Sequence, residues 1–294
     1  MDGRTRILNF PFPNLRNISL ITHSQGVGDL KMITSDIMIS GGRGNVIRVW
    51  NLNITYSANP ANGVIIDINN MEPIKQFEIQ NQNLLIVAST ISVKIWHIYQ
   101  RTILKSRQLT NISCLKVISL YNEHILATCF NDQILILKTS DLTTIANLNC
   151  DNYIRNLEYI KNYDILIALT DKGFAVLWNL TSFQVLNKQK IHNQNALCIK
   201  SINSSLLVTG GQDNLIKTWR LNLDNNFRLE LLQQSSQMSA IRVLAVYNNG
   251  MNIASGNDDG LFQIYESYSL IKSFSLEYNS AIVALDVFKE CKIF

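Results

Sequence analysis

Apolar residues along this chain gather in short runs of roughly six, broken by Gly, Asn, Asp and Ser, which is the spacing of strands joined by tight turns. The stretch Ser205 to Asn222, SLLVTGGQDNLIKTWRLN, shows the pattern most fully. Leu206 to Thr209 reads as one strand ending at Gly210-Gly211, and Leu215 to Leu221 as a second, alternating Leu215, Lys217, Trp219 and Leu221 against Ile216, Thr218 and Arg220. Gln212-Asp213-Asn214 supplies turn residues that tolerate unusual backbone angles. One such hairpin is marginal in water and needs neighbours.

The chain supplies them by repetition. With Trp219 as reference, Trp50, Trp96, Leu137, Trp178 and Tyr265 occupy the same slot in NVIRVWNL, SVKIWHI, QILILKTS, GFAVLWNL and GLFQIYES. The intervals from 50 to 265 are 46, 41, 41, 41 and 46 residues. Asp2 to Asn9 overlays Asp259 to Glu266, which puts Leu8 in the slot 42 residues before Trp50 and makes seven units. A further strand precedes each hairpin, beginning at Val27, Ile74, Ile112, Ile154, Ala196, Ile241 and Ile282, with apolar residues at its first and fourth positions. A more polar strand, such as FQVLNKQK, follows each reference slot. Four strands per unit, no amphipathic helix and a period near 42 predict a β-propeller.

The units resemble WD repeats. His192 and His23 each lie seven residues before the fourth position of their leading strand (Ile199 and Leu30), matching that family's His register. The resemblance implies that His192, Thr209, Asp213 and Trp219 form a buried hydrogen-bonded network. The other units are degenerate. No residue after a reference slot is Asp (Asn51, His97, Lys138, Asn179, Arg220 and Glu266), and the turn Asp survives as Asp213, Asp259 and Asp2 but is replaced by Gly44, Asn131 and Lys172. The expectation is a single all-β domain over residues 1–294: a seven-bladed propeller of four-stranded blades, the last shared between the two termini. A chain truncated in its last blade is the rival reading.

Composition adds little. Charged residues make up 16% and the net charge is +4, too mild by itself to indicate nucleic acid. The N-terminus lacks the basic start and apolar core of a secretory signal, and no apolar run reaches the length of a membrane span. The five cysteines include no CxxC pair, which reads as buried free thiols in a reducing compartment. A cytoplasmic location follows, with the nucleus as alternative.

No GxSxG, HExxH or phosphate-binding loop occurs, and the Gly-rich stretches precede strands rather than helices. The expected role is a non-catalytic scaffold that needs no cofactor or metal and binds a peptide or protein within a multi-protein complex. Its substrate-receptor variant in a ubiquitin ligase and an RNA-associated propeller are the alternatives. Partner-binding candidates come from two repeat slots, the residue seven before the reference and the second of the leading strand, together with Tyr153. They are Arg43, Lys75, Phe130, Tyr153, Arg155, Asp171, Gln212, Arg242 and Asp258.

Overall fold

The computed structural model describes residues 4–9, 18–21, 23, 26–34, 36–51, 64–120, 123–224, 226–247, 250, 252–266, 269–275, 281–288 and 292–293; for 4–9, 18–21, 269–275, 287–288 and 292–293 only the backbone is described. Every long described element is a strand. The first two are β1 (Arg4–Asn9) and β2 (Ile18–Ile21). Then come β3 (Val27–Met32), β4 (Ile37–Gly42), β5 (Val46–Asn51) and β6 (Val64–Asn69), followed by β7 (Ile74–Ile79), β8 (Leu84–Ser89), β9 (Ser92–His97) and β10 (Thr102–Gln108). The series continues with β11 (Ile112–Leu120), β12 (Glu123–Phe130), β13 (Gln133–Lys138), β14 (Thr144–Asn149), β15 (Ile154–Ile160), β16 (Ile165–Thr170), β17 (Phe174–Asn179) and β18 (Val185–Lys190). Last are β19 (Ala196–Ser201), β20 (Leu206–Gly211), β21 (Leu215–Leu221), β22 (Leu229–Ser236), β23 (Ile241–Tyr247), β24 (Asn252–Asn257), β25 (Leu261–Glu266), β26 (Ser269–Ser275), β27 (Val287–Phe288) and β28 (Lys292–Ile293).

Six antiparallel four-stranded sheets run in chain order, β3–β6, β7–β10, β11–β14, β15–β18, β19–β22 and β23–β26. Each is one blade, and the reference slots all fall on third strands. The leading strands begin at Val27, Ile74, Ile112, Ile154, Ala196 and Ile241, as their apolar first and fourth positions predict.

The count of seven four-stranded blades is corrected: the fold is an all-β propeller of six blades. The strands of the chain ends pair in the order β2-β1-β28-β27, but this is not a full blade. β27 and β28 have two residues each, and β1 meets β28 only at Leu8↔Ile293 and Asn9↔Lys292. The expected leading strand from Ile282 is not formed over residues 282–286. A two-residue ladder makes too few hydrogen bonds to offset the entropy of ordering a further leading strand. Asp2, Gly3 and Cys291 lie outside the described residues.

The chain divides into two compact units. Unit 1 (Met1–Ile112 and Val283–Phe294) holds blades β3–β6 and β7–β10; unit 2 (Ser113–Ile282) holds the other four. In each, the core lies between successive blades. In unit 1, Ile39, Ile47, Val49 and Ile66 from one blade pack on Ile74, Phe77, Leu85 and Trp96 from the next. In unit 2, Ile167, Leu169 and Leu177 pack against Ile199, Leu207 and Trp219. Because both sheet faces are covered, β21 does not show the simple alternation of a one-sided strand. Ile216, Lys217, Thr218 and Trp219 are all buried in sequence. No described helix is long and apolar enough to cross a membrane.

Candidate functional site

The blade β19–β22 of unit 2 carries a buried polar relay. His192 lies four residues before β19, in the loop leading into it, and is buried. Its Nε2 is 2.8 Å from Thr209 Oγ1, and its Nδ1 is 2.8 Å from Asp213 Oδ1. Trp219 Nε1 donates to the same Thr209 oxygen at 2.8 Å. Asp213 Oδ2 accepts the backbone N–H of Asn193 at 3.0 Å. The relay therefore joins the approach loop, the β20–β21 turn and the third strand. Gly211 makes room for it, since a Cβ there would stand 2.5 Å from both His192 Nδ1 and Asp213 Oδ1.

Burial lowers the pKa of His192, and the Asp213 carboxylate beside it works in the opposite direction. A His–Asp pair with a hydroxyl could pass for a nucleophilic triad. Here both ring nitrogens are engaged by internal partners, and the Thr209 oxygen also accepts from an indole, so the group is built as a staple between loop and hairpin.

The same register recurs with other residues. His23 Nε2 lies 2.9 Å from Ser40 Oγ, to which Trp50 Nε1 also donates at 2.9 Å. Four residues before β7, Asn70 replaces the histidine; it accepts from Trp96 Nε1 at 3.1 Å and donates to Ser89 Oγ at 2.7 Å. Four residues before β23, Gln237 donates to the Tyr265 hydroxyl, which also interacts with Ser255. The Asn70 and Gln237 roles escape a search of the sequence for histidine alone at that offset; the offset itself is the available signal.

The leading ends of the unit 2 blades carry Tyr153, Arg155 and Arg242 among the residues singled out in the sequence. Successive leading strands β15, β19 and β23 pack side by side. Asn156 Nδ2 donates to Leu197 O at 3.4 Å, and Cys198 Sγ to Ile241 O at 3.5 Å. Arg155 and Arg242, second in β15 and β23, are exposed at one edge. The Arg155 guanidinium lies 4.8 Å from the centroid of the half-buried Tyr153 ring, a cation–π stack. Arg242 is not free: it forks onto Asp258 of its own blade, Nε to Oδ1 at 2.5 Å and Nη2 to Oδ2 at 2.8 Å.

Gln212 is exposed and its N–H donates to Asn195 O at 2.8 Å. Phe130 is half-buried at the end of β12. Asp171 donates its N–H to Tyr153 O at 2.9 Å, while its Oδ1 is buried without a hydrogen-bond partner. In unit 1, Arg43 and Lys75 are exposed, and Lys75 Nζ donates to Ile112 O at 2.9 Å. Cys114, Cys129, Cys150 and Cys198 are buried free thiols, and burial raises Cys150 and Cys198 to about 12. Among the described residues no group of His, Cys, Asp and Glu has the arrangement of a metal site.

No family model matches the chain. Over 162 residues, 51% of this chain and 30% of the relative, it is 26% identical to the WD40 repeat-containing protein smu1 of Dictyostelium discoideum. Over 77 residues, 26% of this chain and 18% of the relative, it is 27% identical to ASTRA-associated protein 1 of Scheffersomyces stipitis. The chain thus matches less than a third of the length of either curated relative. Among solved structures, the Myceliophteria thermophila Cps50 (Swd1) β-propeller domain superposes with a TM-score of 0.75 at 15% identity, covering 90% of each chain. The computationally designed Ika8 protein gives 0.71 at 16% identity, covering 99% of this chain and 89% of that one. The superpositions show the β-propeller fold, and the similarity to a WD40 repeat-containing protein agrees with the repeat pattern in supporting the WD-repeat type.

Proposed function

We propose that this WD-repeat propeller is a non-catalytic scaffold that docks a protein or peptide partner within a multi-protein assembly, using the leading ends of its unit 2 blades. The observation that carries the reading is the division of labour there. The His192–Thr209–Asp213 constellation, whose residue types could pass for catalytic, is buried and bonded internally, whereas Arg155, Arg242, Gln212 and the Tyr153 ring stand at an edge open to solvent. Arginine and tyrosine are the residue types that anchor protein interfaces, and an Arg held by an aromatic ring loses less entropy on binding than a free one. Smu1, a WD40 repeat-containing protein by name, and an ASTRA-associated protein are the kinds of protein this chain is similar to, which favours an assembly role over an enzymatic one.

The test is affinity purification with mass spectrometry on the parent and on a Tyr153→Ala, Arg155→Glu, Arg242→Glu variant. The expected result is loss of the co-purifying partners with an unchanged thermal melt. Recovery of the same partners by the folded variant would overturn the assignment of this edge.

A further inference from the structure

A second surface lies in unit 1, on the blade β7–β10. Met71 is 80% exposed and Ile91 47% exposed, and they project from two loops that are stapled together. Met71 sits between Asn70 and Glu72. Asn70 donates to Ser89 Oγ at 2.7 Å, and Glu72 Oε2 accepts from Ser92 Oγ at 2.7 Å, so the residues flanking Met71 grip the residues flanking Thr90-Ile91. Lys94 reinforces the grip, its Nζ 2.7 Å from Glu72 Oε1 and 2.9 Å from Asn70 O. On the far side, Leu109 donates its N–H to Ile91 O at 3.0 Å and is itself half-buried. Met71, Ile91 and Leu109 thus make up a strip of apolar positions on segments tied together by side-chain and backbone hydrogen bonds.

Met71 also adopts φ 63°, a left-handed conformation that suits Asn or Gly. A large apolar side chain, exposed and strained at a loop tip, is a poor choice for stability alone.

The charge of the same blade says what kind of partner fits. From Asn70 to Ile112 there are five basic residues and two acidic, a net of +3 out of the chain's +4. Of the two acids, Glu78 pairs with Lys31 at 3.4 Å and Glu72 with Lys94 at 2.7 Å. Lys75, Arg101 and Lys105 remain exposed, Lys75 beside the strip through its bond to Ile112 O. Most of the net charge of the protein thus falls in the segment that carries the exposed strip, with Lys75 at its margin and Arg101 and Lys105 toward the β9–β10 turn.

We infer that Met71, Ile91 and Leu109, with Lys75 at their margin, dock a protein segment that presents apolar side chains next to acidic ones. The apolar strip supplies burial and the basic blade supplies orientation and a faster encounter. A nucleic acid would use the charge but leave the strip in water, so a protein segment is favoured. The inference rests on the scaffold reading above but concerns a different blade, and its failure can be told apart.

The experiment pans a phage-displayed random library of peptides of about 12 residues, long enough to cover one groove or edge, on the parent protein and on Met71→Asn, Ile91→Ser. Asn is compatible with the left-handed backbone at position 71, so this variant is expected to fold, with a thermal melt as control. The expected outcome is enrichment of peptides combining Asp or Glu with Leu, Phe or Ile, and binding at least about ten-fold weaker to the variant, the loss of one interface anchor. The same peptides should bind the Arg155→Glu, Arg242→Glu protein unchanged. Weakening by that variant, enrichment without acidic bias, or equal binding to the Met71→Asn, Ile91→Ser protein would each overturn the inference. A uridine 20-mer that displaces the selected peptides would also overturn it, in favour of a nucleic-acid surface.

Discussion

Blades β19–β22 and β11–β14 have the same strand order and opposite interiors. In the first, Thr209 Oγ1 is shared between an imidazole and an indole, and Asp213 closes the relay onto the approach loop. In the second, Leu137 stands where Trp219 does, and Gln108, four residues before β11, is exposed. The matching hydroxyl of Thr128 is buried with no hydrogen-bond partner. The space between blades is filled instead by Cys114, Cys129 and Cys150 packed with Ile134, Ile136 and Trp178. Both blades build complete sheets. The sheet ladders and inter-blade burial therefore define the blade, and the relay is an addition that fixes loop to hairpin. The β23–β26 blade shows that Gln, Tyr and Ser can hold the same positions as His, Trp and Thr.

The comparison breaks most sharply at the reference slot. Trp219→Leu copies Leu137 into the relay blade, and should destabilise by about 3 kcal/mol, since it opens a void and strands the Thr209 hydroxyl. Urea denaturation measures it; a loss below about 1 kcal/mol would mean the two blades are held alike. Asp213→Ala comes next, at about 2 kcal/mol, because His192 Nδ1 and the Asn193 N–H lose their shared acceptor. An unchanged melt would remove the relay as a source of stability.

Much of this is legible in sequence because strand period and register are local. Each hairpin needs its own alternating runs and turn residues, so the six leading strands and six reference slots can be read directly. The chain ends mislead for the opposite reason. Whether Ile282 onward becomes a strand depends on partners distant in sequence, and AIVALDVF resembles a leading strand without forming one over 282–286. Side-chain partners are also hidden. Arg242 and Asp258 fill two candidate slots, yet nothing in the repeat shows that they bind each other. Met71 and Ile91 fall outside both slots, and the Asn70–Ser89 and Glu72–Ser92 bonds that tie their loops together are not revealed by sequence spacing.

A matched pair of substitutions tests the comparison at a single atom. Thr209→Val deletes an oxygen with two partners, and should cost about 1.5 kcal/mol. Thr128→Val deletes an oxygen with none and keeps the shape, and should be neutral or stabilise by about 1 kcal/mol. A loss of stability at position 209 with none at position 128 is the expected result of paired urea titrations. If both variants lose the same stability, the Thr128 hydroxyl is satisfied in solution and the blades are not opposites.

The smallest effect sharpens the contrast between His192, which has a carboxylate partner, and His23, whose ring bonds to the Ser40 hydroxyl. Burial, with help from the Arg48 charge, lowers His23 to about 4 from its ordinary 6.5. Its folded-state pKa lies below its unfolded value, so the stability it contributes is present above pH 6.5 and is lost as pH falls toward 4. Between about pH 7.5 and about pH 6 that loss amounts to about 0.8 kcal/mol. Asp29 runs the other way. Burial raises it to about 6, so its unfavourable ionisation is relieved on acidification and offsets part of the His23 loss. Glu158 is silent in this window: burial pushes it up, but Lys116, Lys200 and the Ser201 hydrogen bonds outweigh that and hold it at about 2. His23→Asn, which copies Asn70 into this blade, removes the titrating group while keeping a bond to Ser40 and Trp50 within reach. Urea midpoints of parent and variant at the two pH values should then diverge, with the variant losing less on acidification. Equal losses would mean that His23 titrates as it does in the unfolded chain, and that its buried bond to Ser40 does not persist.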